Sequence, residues 1–260
     1  MATSRGAATG FVRDGASSST HGYGISGADS ANGAVIERQM LRDRAHEAIL
    51  ELLLDGRVEP GESLSIDGLA RELGVSPTPV REALGQLEHT GLVTRTALKG
   101  YRAAPPLTPE RTAELLDARA VVEVAGIRAA VPVADEVLAE LDSLSATHRA
   151  AAGRVRKMVK SARGKLDWPT LRRYYTIDWE FHLTILRSSH NRYLLQMADG
   201  LAPHVHRLRQ SMRHGVIDVE QAVAEHAVIL DSIRSGDPDA AATAMADHIA
   251  AVKVRALADG

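Results

Sequence analysis

Asp178 and His182 stand four residues apart in a stretch of helical periodicity, which puts both side chains on one face, a turn apart, where they could clasp a single ion. His226 follows Glu225 on a later helical segment, and His248 follows Asp247 on the last one. Three imidazoles and one carboxylate form a borderline nitrogen and oxygen donor set suited to Zn²⁺, Ni²⁺ or Mn²⁺. Spacing alone does not decide for a metal, because Asp-x3-His arises by chance and a histidine on an apolar helix is more often a core residue with a satisfied hydrogen bond. If the four held an ion carrying water, a metal-dependent enzyme is an alternative reading, but no further histidine or carboxylate stands out by spacing as its general base.

A second set of polar residues points to different chemistry. In residues 64–103, Leu69, Ala70 and Leu73 recur at helical spacing, Gly74 stops that helix, and Ser76-Pro77 supplies an N-cap and a first-turn proline for the next. The second helix buries Val80, Ala83, Leu84 and Leu87, which leaves Thr78, Arg81 and Gln86 facing outward to read a groove or grip phosphates. After Gly91 the pattern becomes two short strands around a tip at Leu98-Lys99-Gly100. Together these are a winged helix-turn-helix, in which Ser76 and Thr78 meet phosphates or base edges, Arg81 a guanine or adjacent phosphate, and Lys99 with Gly100 the minor groove.

The elements that must position these groups follow from composition and periodicity. Two hundred and sixty residues exceed one typical domain, and 45% hydrophobic with only 3% aromatic residues and abundant Ala and Leu indicate a mainly helical chain. Cysteine is absent, which excludes disulfides and thiolate metal sites and fits a reducing cytoplasm. With 31 basic against 33 acidic residues the chain does not coat nucleic acid indiscriminately; contact must come from a local surface, such as Arg71, Arg81, Arg95, Lys99 and Arg102. No segment approaches the roughly 20 apolar residues of a membrane span, so a soluble chain without a membrane partner is expected.

Residues 1–36 are dominated by Gly, Ala, Ser and Thr and read as a disordered tail. A helix over 37–54 opens a winged domain ending at 104; Pro105-Pro106 begins a stiff joint over 105–108, and 109–260 is a helical domain with helices near 109–130, 134–151, 169–189, 192–213, 218–235 and 238–257. The basic run 154–165 either extends a helix or forms a loop.

The phrase GVSPTPVREAL (74–84), followed by L-x-x-x-G-L-V and a basic wing with glycine, resembles the DNA-binding domain of the GntR family of bacterial transcription regulators. Arg44, Ile49, Gly56, Pro60, Gly61 and Leu64 fall where that family places its first helix and the entry to the second, which adds Arg44 to the expected DNA-binding residues. Many members carry arginine where this chain has Pro77, so affinity and half-site sequence do not transfer from them. Segments 115–130, 178–194 and 225–249 are similar to FCD, the all-helical ligand-binding domain of the FadR-type branch. That resemblance implies a divalent metal held by Asp178, His182, His226 and His248, with positions left for water or a small carboxylate effector. It also places Arg119 where a guanidinium often meets the effector, with an ion pair to Glu123 as the equal alternative, and Asn191 where helix capping and effector contact are both open.

The expected protein is thus a cytoplasmic, metabolite-responsive regulator and a homodimer on a pseudo-palindromic operator, with a repressor as the expected sign although the residues leave repression and activation both open. An architectural DNA-binding protein whose helical domain only dimerises is the third reading, and the intact ligand set speaks against it.

Overall fold

The computed structural model describes residues 26–161, 167–211 and 219–258. The chain divides into two compact units, residues 1–39 and 40–260, and of the first only the opening of a helix is described. That helix, α1 (Ser26–Leu54), buries Ala45, Ile49, Leu52 and Leu53 along one stripe. It begins eleven residues before Glu37, inside the segment expected to lack order: residues 26–36 contain no proline, and a helix nucleated downstream extends through them without a second nucleus. The expectation of disorder for residues 1–25 falls outside the described residues.

α2 (Ile66–Leu73) starts at Ser65, whose hydroxyl accepts the Gly68 amide, and ends at Gly74 in the left-handed region at φ 66°. α3 (Pro77–His89) follows an extended Ser76 and buries Pro79, Val80, Ala83, Leu84 and Leu87. β2 (Val93–Thr96) and β3 (Gly100–Ala103) form the antiparallel wing, turned at its tip by Leu98 and Gly100, both with positive φ. A third strand, β1 (Ser63–Leu64), pairs with the other edge of β3; two residues are too short to carry an alternating signal.

Six helices complete the described residues: α4 (Pro109–Ala130), α5 (Asp135–Ser161), α6 (Trp168–Ser188), α7 (Arg192–Ser211), α8 (Val219–Ser235) and α9 (Pro238–Ala258). α4 packs on α6, α7 and α9, and α5 on α6 and α8, around Ile127, Leu141, Phe181, Ile185, Ile229, Met245 and Ile249. Gly126 brings α4 onto α6 closely enough that a Cβ there would lie 2.3 Å from Leu186 Cδ2. The basic run is helical as far as Ser161, with 162–165 outside the described residues; Ala151, Ala152 and Val155 continue the buried stripe of α5, while Arg154, Arg156 and Lys157 stay exposed.

Ion pairs and hydrogen bonds tie the helical bundle to the winged helix. Arg172 of α6 pairs with Asp55 just beyond α1, and Arg207 of α7 donates to the Ala104 carbonyl at 2.8 Å.

Candidate metal centre and nucleic-acid interface

Buried polar groups converge in the middle of the helical bundle. α6 contributes Asp178 and His182, α8 His226 and α9 His248, each at most 2% exposed. The rings of His182, His226 and His248 lie 4.9–5.2 Å apart. Asp178 Oδ1 is 3.4 Å from His226 Nε2, while its Oδ2 accepts from Arg209 of α7. The helices therefore bring the four expected ligands into one buried cluster, with His182, His226 and His248 as one close set and Asp178 joined to it through His226. They add a fifth group that sequence reasoning missed: His148 of α5, 1% exposed, with Nε2 3.5 Å from Asp178 Oδ1. Its signal was faint but present, since Leu141, Ser145, His148, Ala152 and Val155 are the buried stripe of α5 and a histidine there is out of character.

Other carboxylates orient the rings. Glu123, one turn after Arg119 on α4, lies 2.6 Å from His182 Nδ1 and accepts from Arg119 Nε at 2.5 Å. Arg119 is wholly buried, with Nη2 3.0 Å from His182 Nε2 and its guanidinium 5.4 Å from the Trp179 ring centre. It thus makes the ion pair that was one of its two expected roles, while its Nη1, also buried, has no hydrogen-bond partner among the described residues. On the far side, Glu225 contacts His248 Nδ1 at 2.8 Å and grips Arg255 with both oxygens, which turns His248 Nε2 away from Glu225.

Burial alone would raise the Asp178 carboxyl, but Arg209 and the surrounding imidazoles hold it well below the usual carboxylate range. Burial pushes His226 well below an ordinary imidazole and His248 down to about 4, despite Asp178 and Glu225 beside them. At neutral pH these rings are uncharged and carry the lone pairs that a metal needs. Among the described residues, Nε2 of His148, both ring nitrogens of His226 and Nε2 of His248 have no hydrogen-bond partner. Each buried polar atom left so costs about 1–3 kcal/mol. Such a concentration around one carboxylate fits a divalent cation, whose binding would satisfy the imidazole lone pairs.

The remaining expected site residues lie elsewhere. Asn191 is exposed at the start of α7, where its Oδ1 accepts the Tyr193 and Leu194 amides at 3.1 and 3.3 Å, so of its two open roles it fills the capping one. His206 of α7, which is not among the expected site residues, faces the Trp179 ring at 6.5 Å and is pushed to about 4, first by burial and then by Arg209. In the winged helix, Ser76, Thr78 and Arg81 are exposed at the head of α3, Lys99 and Gly100 at the wing tip, and Arg44 on α1. The Ser76 hydroxyl makes no capping hydrogen bond, and the Arg81 and Lys99 side chains make no hydrogen bond or ion pair among the described residues. Arg71, Arg95 and Arg102, by contrast, are engaged within the fold by the Asp67 carbonyl, the Tyr101 ring and the Gly61 carbonyl.

Comparison with known proteins finds two family matches along the chain. Residues 41–102 match the gntR family of bacterial regulatory proteins and residues 114–251 the FCD domain. The chain is 31% identical to an uncharacterized HTH-type transcriptional regulator in an unstable DNA locus of Streptomyces ambofaciens, over 78% of this chain and 79% of the relative. It is 26% identical to a protein of Paenarthrobacter nicotinovorans named a probable D-xylose utilization operon transcriptional repressor, over 83% of this chain and 88% of that one. In fold it is similar to a chain described as a GntR transcriptional regulator from Rhodococcus sp. RHA1, with a TM-score of 0.68 at 21% identity, covering 84% of this chain and 98% of that one. The chain therefore belongs to the GntR family of bacterial regulatory proteins, as a DNA-binding transcription regulator whose winged helix-turn-helix is followed by an FCD domain.

Proposed function

We propose that this regulator senses a small carboxylate at a metal-containing site in its helical domain and converts that binding into a change of operator affinity. The observation that carries the reading is the set of unpartnered imidazole nitrogens around the Asp178 carboxylate. Asp178, His182, His226 and His248 would hold a divalent ion, with Zn²⁺ or Ni²⁺ suiting so nitrogen-rich a set better than Mn²⁺. Bound there, the ion would supply a Lewis-acidic position for a carboxylate oxygen. Arg119 Nη1 supports the second contact, since its charge is permanent and it is buried at the cluster.

The winged domain over 37–104 would read DNA through Ser76, Thr78 and Arg81 in the major groove and Lys99 with Gly100 in the minor groove, with Arg44 on a phosphate. The helical domain over 109–260 would dimerise; in support, Val121 on α4 and Val254 on α9 are 72% and 70% exposed on two helices that pack together. Repression of an operon is the sign that the Paenarthrobacter relative's name supports, and a sequence without cysteine fits a cytoplasmic setting.

Coupling has a physical route. α6 carries Asp178 and His182 toward the cluster and Arg172 toward Asp55, while α7 carries Arg209 toward Asp178 and Arg207 toward the Ala104 carbonyl before the joint at 105–108. Coupling of this kind is usually about 1–3 kcal/mol, or roughly 5- to 150-fold in affinity. Metal analysis of protein purified without chelator should find one divalent ion per chain. A thermal-shift screen of small carboxylic acids on the loaded protein, with operator affinity then measured with and without the hit, tests the rest. Arg119→Lys keeps a charge opposite Glu123 but removes the planar fork, so it should blunt the response to effector while DNA binding without effector persists. Metal-free protein, or a full response in Arg119→Lys, would refute the corresponding part.

A further inference from the structure

His148 lies outside the Asp-x3-His pattern and the two later histidines, yet it is built into the same cluster. Its ring is held between Tyr174, stacked at 4.7 Å, and His226, at 4.9 Å. Tyr174 is four residues before Asp178 on α6, so the face of α6 that presents the carboxylate also fixes the His148 ring. Nε2 points to Asp178 Oδ1 at 3.5 Å but forms no hydrogen bond with it or with any other described residue. His226 Nε2 stands 3.4 Å from the same oxygen, also without a hydrogen bond. Ligand atoms of His148, Asp178 and His226 all lie within 4.8 Å of one another, as do those of His182, His226 and His248, and the two triads share His226.

These separations are long for hydrogen bonds and right for donors around a common ion. With metal–ligand bonds of about 2.1 Å, neighbouring donors stand about 3.0 Å apart in an octahedron and 3.4 Å apart in a tetrahedron. Polar atoms meant to pair with each other would close to about 2.7–3.0 Å. His182, in contrast, has Arg119 against Nε2 and Glu123 against Nδ1, so the triad containing His148 is the less encumbered of the two.

We propose that His148 is a direct donor to the divalent ion, making the protein's share of the shell four imidazoles and one carboxylate. A fifth protein donor has a consequence for the ligand. If the ion took six ligands, five protein donors would leave one position, so the effector would attach through a single carboxylate oxygen and would not chelate through two, as an α-hydroxy acid would. The inference rests on the metal reading proposed above.

The test uses the full chain, stripped with chelator and reloaded with Co²⁺ as the probe. Each ligating histidine that keeps its other ring N–H contributes one paramagnetically shifted, exchangeable proton resonance; four are expected in the wild type and three in His148→Gln. Co²⁺ affinity should fall by more than about 100-fold in the variant, beyond the roughly 10- to 100-fold typical of a group that only hydrogen-bonds to a ligand. Added imidazole should restore the wild-type visible spectrum to Co²⁺-loaded His148→Gly. Three resonances in the wild type, or a His148→Gln protein with unchanged Co²⁺ spectrum and affinity, would overturn the assignment while leaving the metal site standing. A wild-type chain that takes up no Co²⁺ would overturn both together. The wild-type count needs no variant and so survives a substitution that misfolds.

Discussion

Replacing Arg209 by leucine separates the charge balance of the cluster from its packing. Arg209 donates to Asp178 Oδ2 and lies 4.9 Å over the Tyr175 ring, and leucine keeps part of that apolar contact while removing the charge. In the metal-free protein the variant leaves the Asp178 carboxylate, 2% exposed, among imidazoles that burial keeps neutral. Removing one partner of a buried ion pair costs about 3–5 kcal/mol. The metal-loaded protein should lose less, because an ion beside Oδ1 supplies the missing countercharge. By the closed thermodynamic cycle, whatever the ion recovers appears as tighter metal binding: each 1.4 kcal/mol, roughly, is a tenfold lower Kd. Urea unfolding of wild type and Arg209→Leu, each stripped and Zn²⁺-loaded, gives two sides of the cycle and Zn²⁺ competition titration the others. The expected result is a loss of about 3–5 kcal/mol without metal, a smaller loss with it, and at least tenfold tighter Zn²⁺ in the variant. Equal losses in both forms, or weaker Zn²⁺ binding, would show that Arg209 acts by positioning Asp178 and not by neutralising it.

Arg81→Ala should weaken specific operator binding by about 1–3 kcal/mol if its fork reads a base, measured by gel shift with the fold checked by circular dichroism; unchanged affinity rejects the contact. Gly126→Ala should cost about 1–3 kcal/mol by overpacking, because the added methyl meets the buried Leu186 side chain at 2.3 Å, and an unaltered melting temperature would show that α4 and α6 relax apart freely. His206 is held at about 4, below the ordinary 6.5 of a histidine, so folding favours its neutral form. Its contribution to stability is complete above 6.5 and is lost as pH falls toward 4, up to about 3 kcal/mol. His206→Gln should therefore flatten the melting temperature between those two pH values, and an equally steep fall would remove His206 as a cause.

The winged helix was legible because its signals are local: the left-handed turn at Gly74, the proline at the first position of α3, and the stripe of Val80, Ala83, Leu84 and Leu87 each act within a few residues. What escaped were features set by neighbours. β1 exists because β3 offers it an edge, and α5 runs to Ser161 because Ala152 and Val155 find Leu171, Tyr174 and Tyr175 to pack against. In the cluster, Asp178 and His182 share a helix face and could be read from spacing, whereas His226 and His248 needed the family resemblance to join them. His148 stands on the buried stripe of α5 with no ligand spacing to another residue of its own segment, and Arg209 and Glu225 acquire their roles only when α7 and α8 fold back onto the ligands.

The charges around the ligands bear on what completes the site. Each carboxylate near a histidine is matched by an arginine: Glu123 by Arg119 beside His182, Asp178 by Arg209 beside His226 and His148, and Glu225 by Arg255 beside His248. The pairing lets the carboxylates stay ionised while wholly or largely buried, and so orient the rings, because an unpaired carboxylate would take up a proton instead. It also makes the protein's contribution close to neutral. A divalent ion entering such a shell would bring two positive charges that no protein group balances, in surroundings where uncompensated charge is costly. An anion of small size relieves that imbalance, and Arg119 Nη1 offers it a donor at the same place. On the proposed reading, the metal and the carboxylate effector would be one electrostatic requirement: the arginines that balance the carboxylates without a metal would make a metal-loaded cluster call for an anion.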